Sequence, residues 1–157
     1  KGYRRVLMVT AKPEMLSSRI ERSSGCEDAL EAHGIPLSRY IIPDSDLIEE
    51  DLHTWLHTNI DGTTPTLVFA PNCWALPKIY ATMQDFYPLM PKTVGLLGFD
   101  NLEWAELASP SISVIAQPAY EEGQRAARIL LDLIDGKGKV DPHQVLNCNI
   151  KWSASTL

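Results

Sequence analysis

The chain has 157 residues, a formal net charge of −6 at pH 7, 45% hydrophobic and 22% charged residues, and only 9 glycines. That length suits one globular domain or two small lobes and is too short for a conventional multidomain enzyme, while the composition excludes collagen-like, disordered and disulfide-scaffold chains. The acidic balance argues against a surface that grips phosphate backbones, because such affinity comes mostly from Lys and Arg displacing counterions.

In chain order, residues 6–10 form a short β-branched apolar run closed by Ala11-Lys12-Pro13, the signature of a buried strand and a turn. A helix is predicted from Ser17 or Ser18 to His33, stopped by Gly34, and a strand over 37–42. The oxygens of Asp44, Ser45 and Asp46 can cap a second helix that runs from Leu47 to about Asn59 on a stripe of Leu47, Ile48, Leu52, Trp55 and Leu56. Residues 66–70 read as a third strand. A third helix is expected over 73–86, with Pro77 in its first turn. Then come a strand over 93–99, a short helix over 102–107, a strand over 112–116, a helix over 120–134 stopped by Gly136, and a last strand over 145–150. Strands alternating with helices specify an α/β fold with a mainly parallel sheet, since parallel neighbours need a crossover. Ligands of such sheets bind beyond the carboxyl ends of the strands.

Cys26, Cys73 and Cys148 lie far apart with no C-x-x-C pairing, so a reducing compartment is expected and a thiolate zinc site is not. No apolar stretch approaches the ~18 to 20 residues of a membrane span and the amino terminus has no secretory pattern, so a cytoplasmic location and no membrane contact are expected. The chain enters its first strand almost at once from Lys1, as a piece of a longer protein would.

The common catalytic and nucleotide-binding motifs are missing. Neither G-x-G-x-x-G nor a P-loop follows the first strand, and the Gly95 and Gly98 pair sits inside a strand, where close packing explains it. His53 and His57 have a metal-compatible spacing but lack the Glu of H-E-x-x-H, so they read as a solvated helix face. There is no G-x-S-x-G elbow, and Cys73, at a strand-to-helix turn without an identifiable base, reads as a small residue lining a pocket or the core. Neither a cofactor nor a metal is expected.

More informative is a combination of Ser18, Arg22, Asp100 and Gln117. Arg22 lies on the first helix and Asp100 and Gln117 close the fourth and fifth strands, so three segments converge on one crevice. A guanidinium donates to adjacent hydroxyls and a carboxylate accepts from two more, which is what a polyhydroxylated ligand requires. Taken singly, Arg22 also fits a surface charge and Asp100 a helix cap.

Four stretches, 17–30 (SSRIERSSGCEDAL), 94–101 (VGLLGFDN), 110–118 (PSISVIAQP) and 123–131 (GQRAARILL), resemble in order the effector-binding core of the lactose-repressor/galactose-repressor family of bacterial transcription regulators. The resemblance covers nearly the whole chain and about the C-terminal half of that family's protein. It implies a type I periplasmic-binding-protein-like architecture, with a parallel sheet flanked by helices and a small molecule held between two α/β lobes. Residues 3–116 and 145–150 would form the C-terminal lobe, and 118–136 a helix of the other lobe, whose remainder is absent together with the helix-turn-helix. That helix would then expose a stripe with Leu130, Leu131 and Ile134 unless it packed on another copy or swung away.

The resemblance also carries roles. Arg22 matches the arginine that grips effector hydroxyls, Ser18 a neighbouring polar contact, Asp100 the ligand-facing aspartate, and Gln117 a glutamine near the lobe crossover. Cys73 takes a position that can face ligand, and Pro71-Asn72 replaces the usual Asn-Asp, removing donors on that side. The implied function is non-enzymatic: a sugar or sugar phosphate shifts the population of lobe arrangements in a homodimer that reaches operator DNA only through its helix-turn-helix. The alternatives are a sugar-binding protein of a transporter and, less favoured, a sugar-phosphate enzyme on the same fold.

Overall fold

The computed structural model describes residues 1–12, 17–43, 48–100, 102–136, 141 and 143–156. Six strands form one sheet in the order β2-β1-β3-β4-β5-β6. They are β1 (Arg5–Ala11), β2 (Leu37–Ile42), β3 (Thr66–Ala70), β4 (Val94–Phe99), β5 (Ser113–Ala116) and β6 (Asn149–Lys151). The first five are parallel, in register Met8 with Arg39 and Phe69, and Val68 with Leu96. β6 runs antiparallel against β5. Five helices connect them: α1 (Ser17–Ala32), α2 (Glu49–Asn59), α3 (Leu76–Thr82), α4 (Leu102–Leu107) and α5 (Ala119–Ile134).

The chain steps from β1 outward to β2, then returns past β1 to β3. Right-handed crossovers therefore put α1 on one face and α2, α3 and α4 on the other. Alternation along the strands divides the core accordingly. Leu7, Val9, Val68, Leu96 and Val114 point into a large cluster with Leu52 and Leu56 of α2, Leu76 and Ile79 of α3, and Ala105 of α4. Val6, Met8 and Phe69 point the other way, into a small cluster reached by Cys26 and Leu30 of α1 and by Leu67, Leu97 and Ile115. Gly98 is on the crowded side, where a Cβ would come within 2.5 Å of Leu76 Cδ2, so close packing does account for it.

β4 and β5 pair directly only from Leu97 and Ser113 onward. Before that point the carboxy-terminal residues wedge in: the Leu96 amide donates to the Ser155 carbonyl at 3.0 Å and the Ser155 amide to the Ser111 carbonyl at 2.8 Å. Ser155 Oγ donates to the Leu96 carbonyl at 2.6 Å, and Ser113 Oγ meets Thr156 Oγ1 at 2.7 Å. These hydroxyls are buried with partners, so the wedge carries no desolvation penalty from them.

Three expectations need correction. The third helix is not continuous over 73–86: α3 holds Pro77 in its first turn and gives way to a 3-10 helix, Gln84–Leu89, in which Pro88 supplies no amide. The last strand is three residues rather than six, with Val145 91% exposed, because its partner β5 is itself short. Helix α2 begins at Glu49, and the capping residues 44–46 lie outside the described residues. Among the described residues no helix is long and apolar enough to cross a membrane. The stripe on α5 is exposed: Leu130, Leu131 and Ile134 are 58, 60 and 71% accessible, and the helix buries no residue.

Candidate functional site

Order reverses between β1 and β3, and the carboxyl ends of those strands are tied together by one side chain. Asn72, 4% exposed, follows β3 and accepts on Oδ1 from the Ala11 amide at 2.9 Å and from Thr10 Oγ1 at 3.1 Å. The position that removes a donor pair from the cleft is thus a brace across the switch point.

Beyond β4, Asp100 holds a left-handed backbone, φ 56, a conformation that Asp and Asn accept more readily than other L-residues. Its amide donates to the Ile115 carbonyl at 2.9 Å, which fixes the turn against β5. In that setting the carboxylate meets the residue that leaves β5. The Gln117 amide donates to Asp100 Oδ1 at 3.0 Å, and the Gln117 side-chain Nε2 donates to Oδ2. Gln117 Oε1 accepts in turn from Arg22 Nη2 at 3.4 Å. The arginine, in the second turn of α1, also donates from Nη1 to the Pro71 carbonyl at 3.2 Å, and its guanidinium carbon lies 3.8 Å above the Phe99 ring.

The result is a connected row, Arg22–Gln117–Asp100, that spans α1, β5 and β4 with Phe99 beneath it. The charges do not touch each other; the glutamine amide presents its oxygen to the cation and its nitrogen to the anion. Two of the five guanidinium donors are committed by these bonds, and the carboxylate keeps lone pairs beyond the two it has used. Ser18 is exposed one turn before Arg22, hence on the same helical face. Cys73 is half-buried directly after Asn72.

An apolar groove adjoins the row, lined by Cys26, Leu67, Phe69, Leu97, Phe99 and Ile115 together with Arg22. Burial, and then neighbouring Glu27, push the Cys26 thiol above its ordinary value. Sequence reasoning missed Thr10 and Phe99, and took Asn72 for a lost donor where it is a brace. Phe99 stood beside the aspartate in the strand pattern, but nothing in the one-dimensional order showed which helix would lay a cation on it.

Residues 1–156 match the family described as periplasmic binding protein-like domain. Among curated proteins the chain is 30% identical over 122 residues to the probable HTH-type transcriptional regulator EndR of Paenibacillus polymyxa, covering 78% of this chain and 36% of that protein. It is 27% identical over 158 residues to the HTH-type transcriptional repressor CytR of Escherichia coli strain K12, covering 99% of this chain and 46% of the repressor. The chain thus spans less than half the length of these relatives. Among solved structures, the periplasmic binding protein/LacI transcriptional regulator of Alkaliphilus metalliredigens QYMF complexed with D-xylulofuranose superposes with a TM-score of 0.77 at 20% identity, covering 99% of this chain and 58% of that one. A LacI family transcriptional regulator from Arthrobacter sp. FB24 in complex with lactose gives 0.78 at 18% identity, covering 99% and 59%. Its sheet order, its two-sided helix layers and its match over nearly every residue place one conclusion beyond the site itself: the chain belongs to the periplasmic-binding-protein-like effector domains of the lactose-repressor/galactose-repressor family.

Proposed function

We propose that this chain is part of the effector-binding domain of a bacterial transcription regulator and holds a small sugar or sugar phosphate at the Arg22–Gln117–Asp100 row. One observation carries the reading: donors and acceptors from three segments are pre-positioned by one another at the carboxyl ends of β4 and β5, where ligands of such sheets bind. Ser18 adds a hydroxyl on the arginine face, and Cys73 borders the β3 side. The buried Phe99 ring gives the guanidinium an apolar floor that fixes its plane.

The activity is binding, without chemistry on the ligand. A sugar replaces the bond from Arg22 to Gln117 with its own hydroxyls and favours one arrangement of two lobes in a homodimeric cytoplasmic protein, in which residues outside this chain read operator DNA. Residues 3–116 and 145–150 belong to one lobe in this reading. Helix α5 belongs to the other, which accounts for an apolar stripe with nothing buried beneath it. The sugars in the two complexes above support the ligand class.

The test is calorimetric titration of the natural full-length protein with a panel of sugars and sugar phosphates. Arg22→Ala is expected to weaken the best ligand about 10- to 100-fold, the worth of one or two charged hydrogen bonds. Unchanged affinity in that variant would overturn the site. Dilution by light scattering tests the placement of α5: a well-folded monomer of this chain at micromolar concentration counts against its need for an apolar partner.

A further inference from the structure

Among the helices on the sheet face opposite α1, three side chains with metal-ligand chemistry converge. Leu52 and Leu56 are buried in the main cluster and fix the rotation of α2, so the residues that follow each of them, His53 and His57, stand one turn apart on an adjacent face. Asp85 opens the 3-10 helix beside Phe86, which is buried in the same cluster. Each of the three ligand candidates is therefore held by a core neighbour in sequence. The His57 ring packs on Phe86 with centroids 4.8 Å apart, and the two imidazoles lie 4.3 Å apart.

Both imidazoles aim the same nitrogen at one oxygen. His53 Nε2 is 2.9 Å and His57 Nε2 3.1 Å from Asp85 Oδ2. The three donor atoms all lie within 4.8 Å of one another, with the residues exposed to solvent. Tetrahedral zinc with bonds of about 2.0–2.1 Å separates its ligand atoms by roughly 3.3 Å, so the two short sides open by a few tenths of an ångström while the pair of imidazole nitrogens, within 4.8 Å, draws together by side-chain rotation. Glu49 lies one further turn back on the His53–His57 row, and Glu49 and Glu50 border the same hollow, adding negative charge and an oxygen donor.

We infer that His53, His57 and Asp85 form a zinc site on the helical surface of the lobe, with the fourth position open to water or to Glu49. The metal takes the Nε2 lone pairs while each neutral ring carries its proton on Nδ1. Two imidazoles and one carboxylate favour zinc and the late first-row divalent ions over magnesium or calcium, which prefer oxygen. The bound ion clamps α2 to the segment that follows α3.

The experiment is titration of the tag-free chain with zinc chloride by calorimetry, in a Cys148→Ser background that removes the exposed thiol. Expected is saturable one-to-one binding, unchanged by excess magnesium, weakened at least about tenfold in H53Q, H57Q and D85N, and retained in H143Q. Zinc raises the thermal midpoint of the parent and not of H57Q, because only the folded chain assembles the ligands. On binding, the 15N resonances of the His53 and His57 Nε2 atoms move. Absence of saturable binding, or full affinity in H53Q and H57Q, overturns the site; full affinity in D85N overturns its third ligand. All the replaced groups are exposed, and a wild-type thermal midpoint without zinc verifies that each variant folds.

Discussion

The two faces of the sheet are unequally dressed. On one, three helices seal eighteen of the described residues into a continuous buried cluster. On the other, α1 alone covers β1 and β2 and leaves Leu67, Leu97, Phe99 and Ile115 along an open groove. Under the proposed function, stability and recognition are thereby separated: the sealed side holds the strands in register, and the open side ends at Arg22.

Adjacent leucines of one strand give the sharpest way to break that comparison. Leu96→Ala empties the sealed side and should cost about 2–5 kcal/mol in urea unfolding. Leu97→Ala, on the open side, should cost less than about half as much, since less of that side chain leaves water on folding. Equal losses would mean the groove is as well packed as the core. Next in size, Gly98→Ala forces a methyl onto Leu76 and should destabilise by about 1–3 kcal/mol, read as a lower unfolding midpoint. Gly25→Ala makes the opposite case: a Cβ in the middle of α1 meets nothing within 4 Å, so the helix should gain about 0.5–1 kcal/mol.

The smallest effect belongs to neither face. Amides and hydroxyls of Thr63 and Thr64 hold the exposed Asp61 carboxyl well below the usual carboxylate range. A depressed folded value stabilises the chain above the unfolded value of about 4 and loses that contribution as pH falls through the lower folded one. Between pH 6 and pH 3 the urea midpoint of the parent should fall slightly further than that of Asp61→Asn. A larger fall in the variant would reverse the assignment.

How much of this was legible beforehand follows from the range of the interactions involved. The strand over 66–70 announces itself because an apolar run bounded by turn residues is a local signal, and it and the half-exposed edge strand 37–42 both appear with the predicted bounds. The convergence of Arg22, Asp100 and Gln117 followed from topology, since the helix after β1 and the ends of β4 and β5 all lie beyond the carboxyl edge of one parallel sheet. Their wiring did not. That Gln117 bridges the two charges depends on the left-handed turn at Asp100, a backbone choice not encoded by residue type alone. From the sequence Pro71-Asn72 reads as a loss of ligand donors, whereas the Asn72 side-chain oxygen is spent on Thr10 and Ala11, 62 and 61 residues away. His53 and His57 are exposed, as a solvated helix face requires, yet the partner that organises them lies 28 to 32 residues downstream. The third helix stops at Thr82, and Pro88, two positions past the predicted end, lies in the 3-10 helix that follows, with no hydrogen to donate to the Gln84 carbonyl as an α-helix would require.

One consequence of the wedge between β4 and β5 concerns anyone who would attach a reporter to this chain. Ser155 and Thr156 behave as a rivet: removing the final five residues would strip Leu96 of both its backbone partners in a dry seam next to the strand that carries Asp100. A fluorophore or fused domain meant to test the proposed ligand binding is better inserted at the exposed turn near Gly62 than spliced in before Ser153.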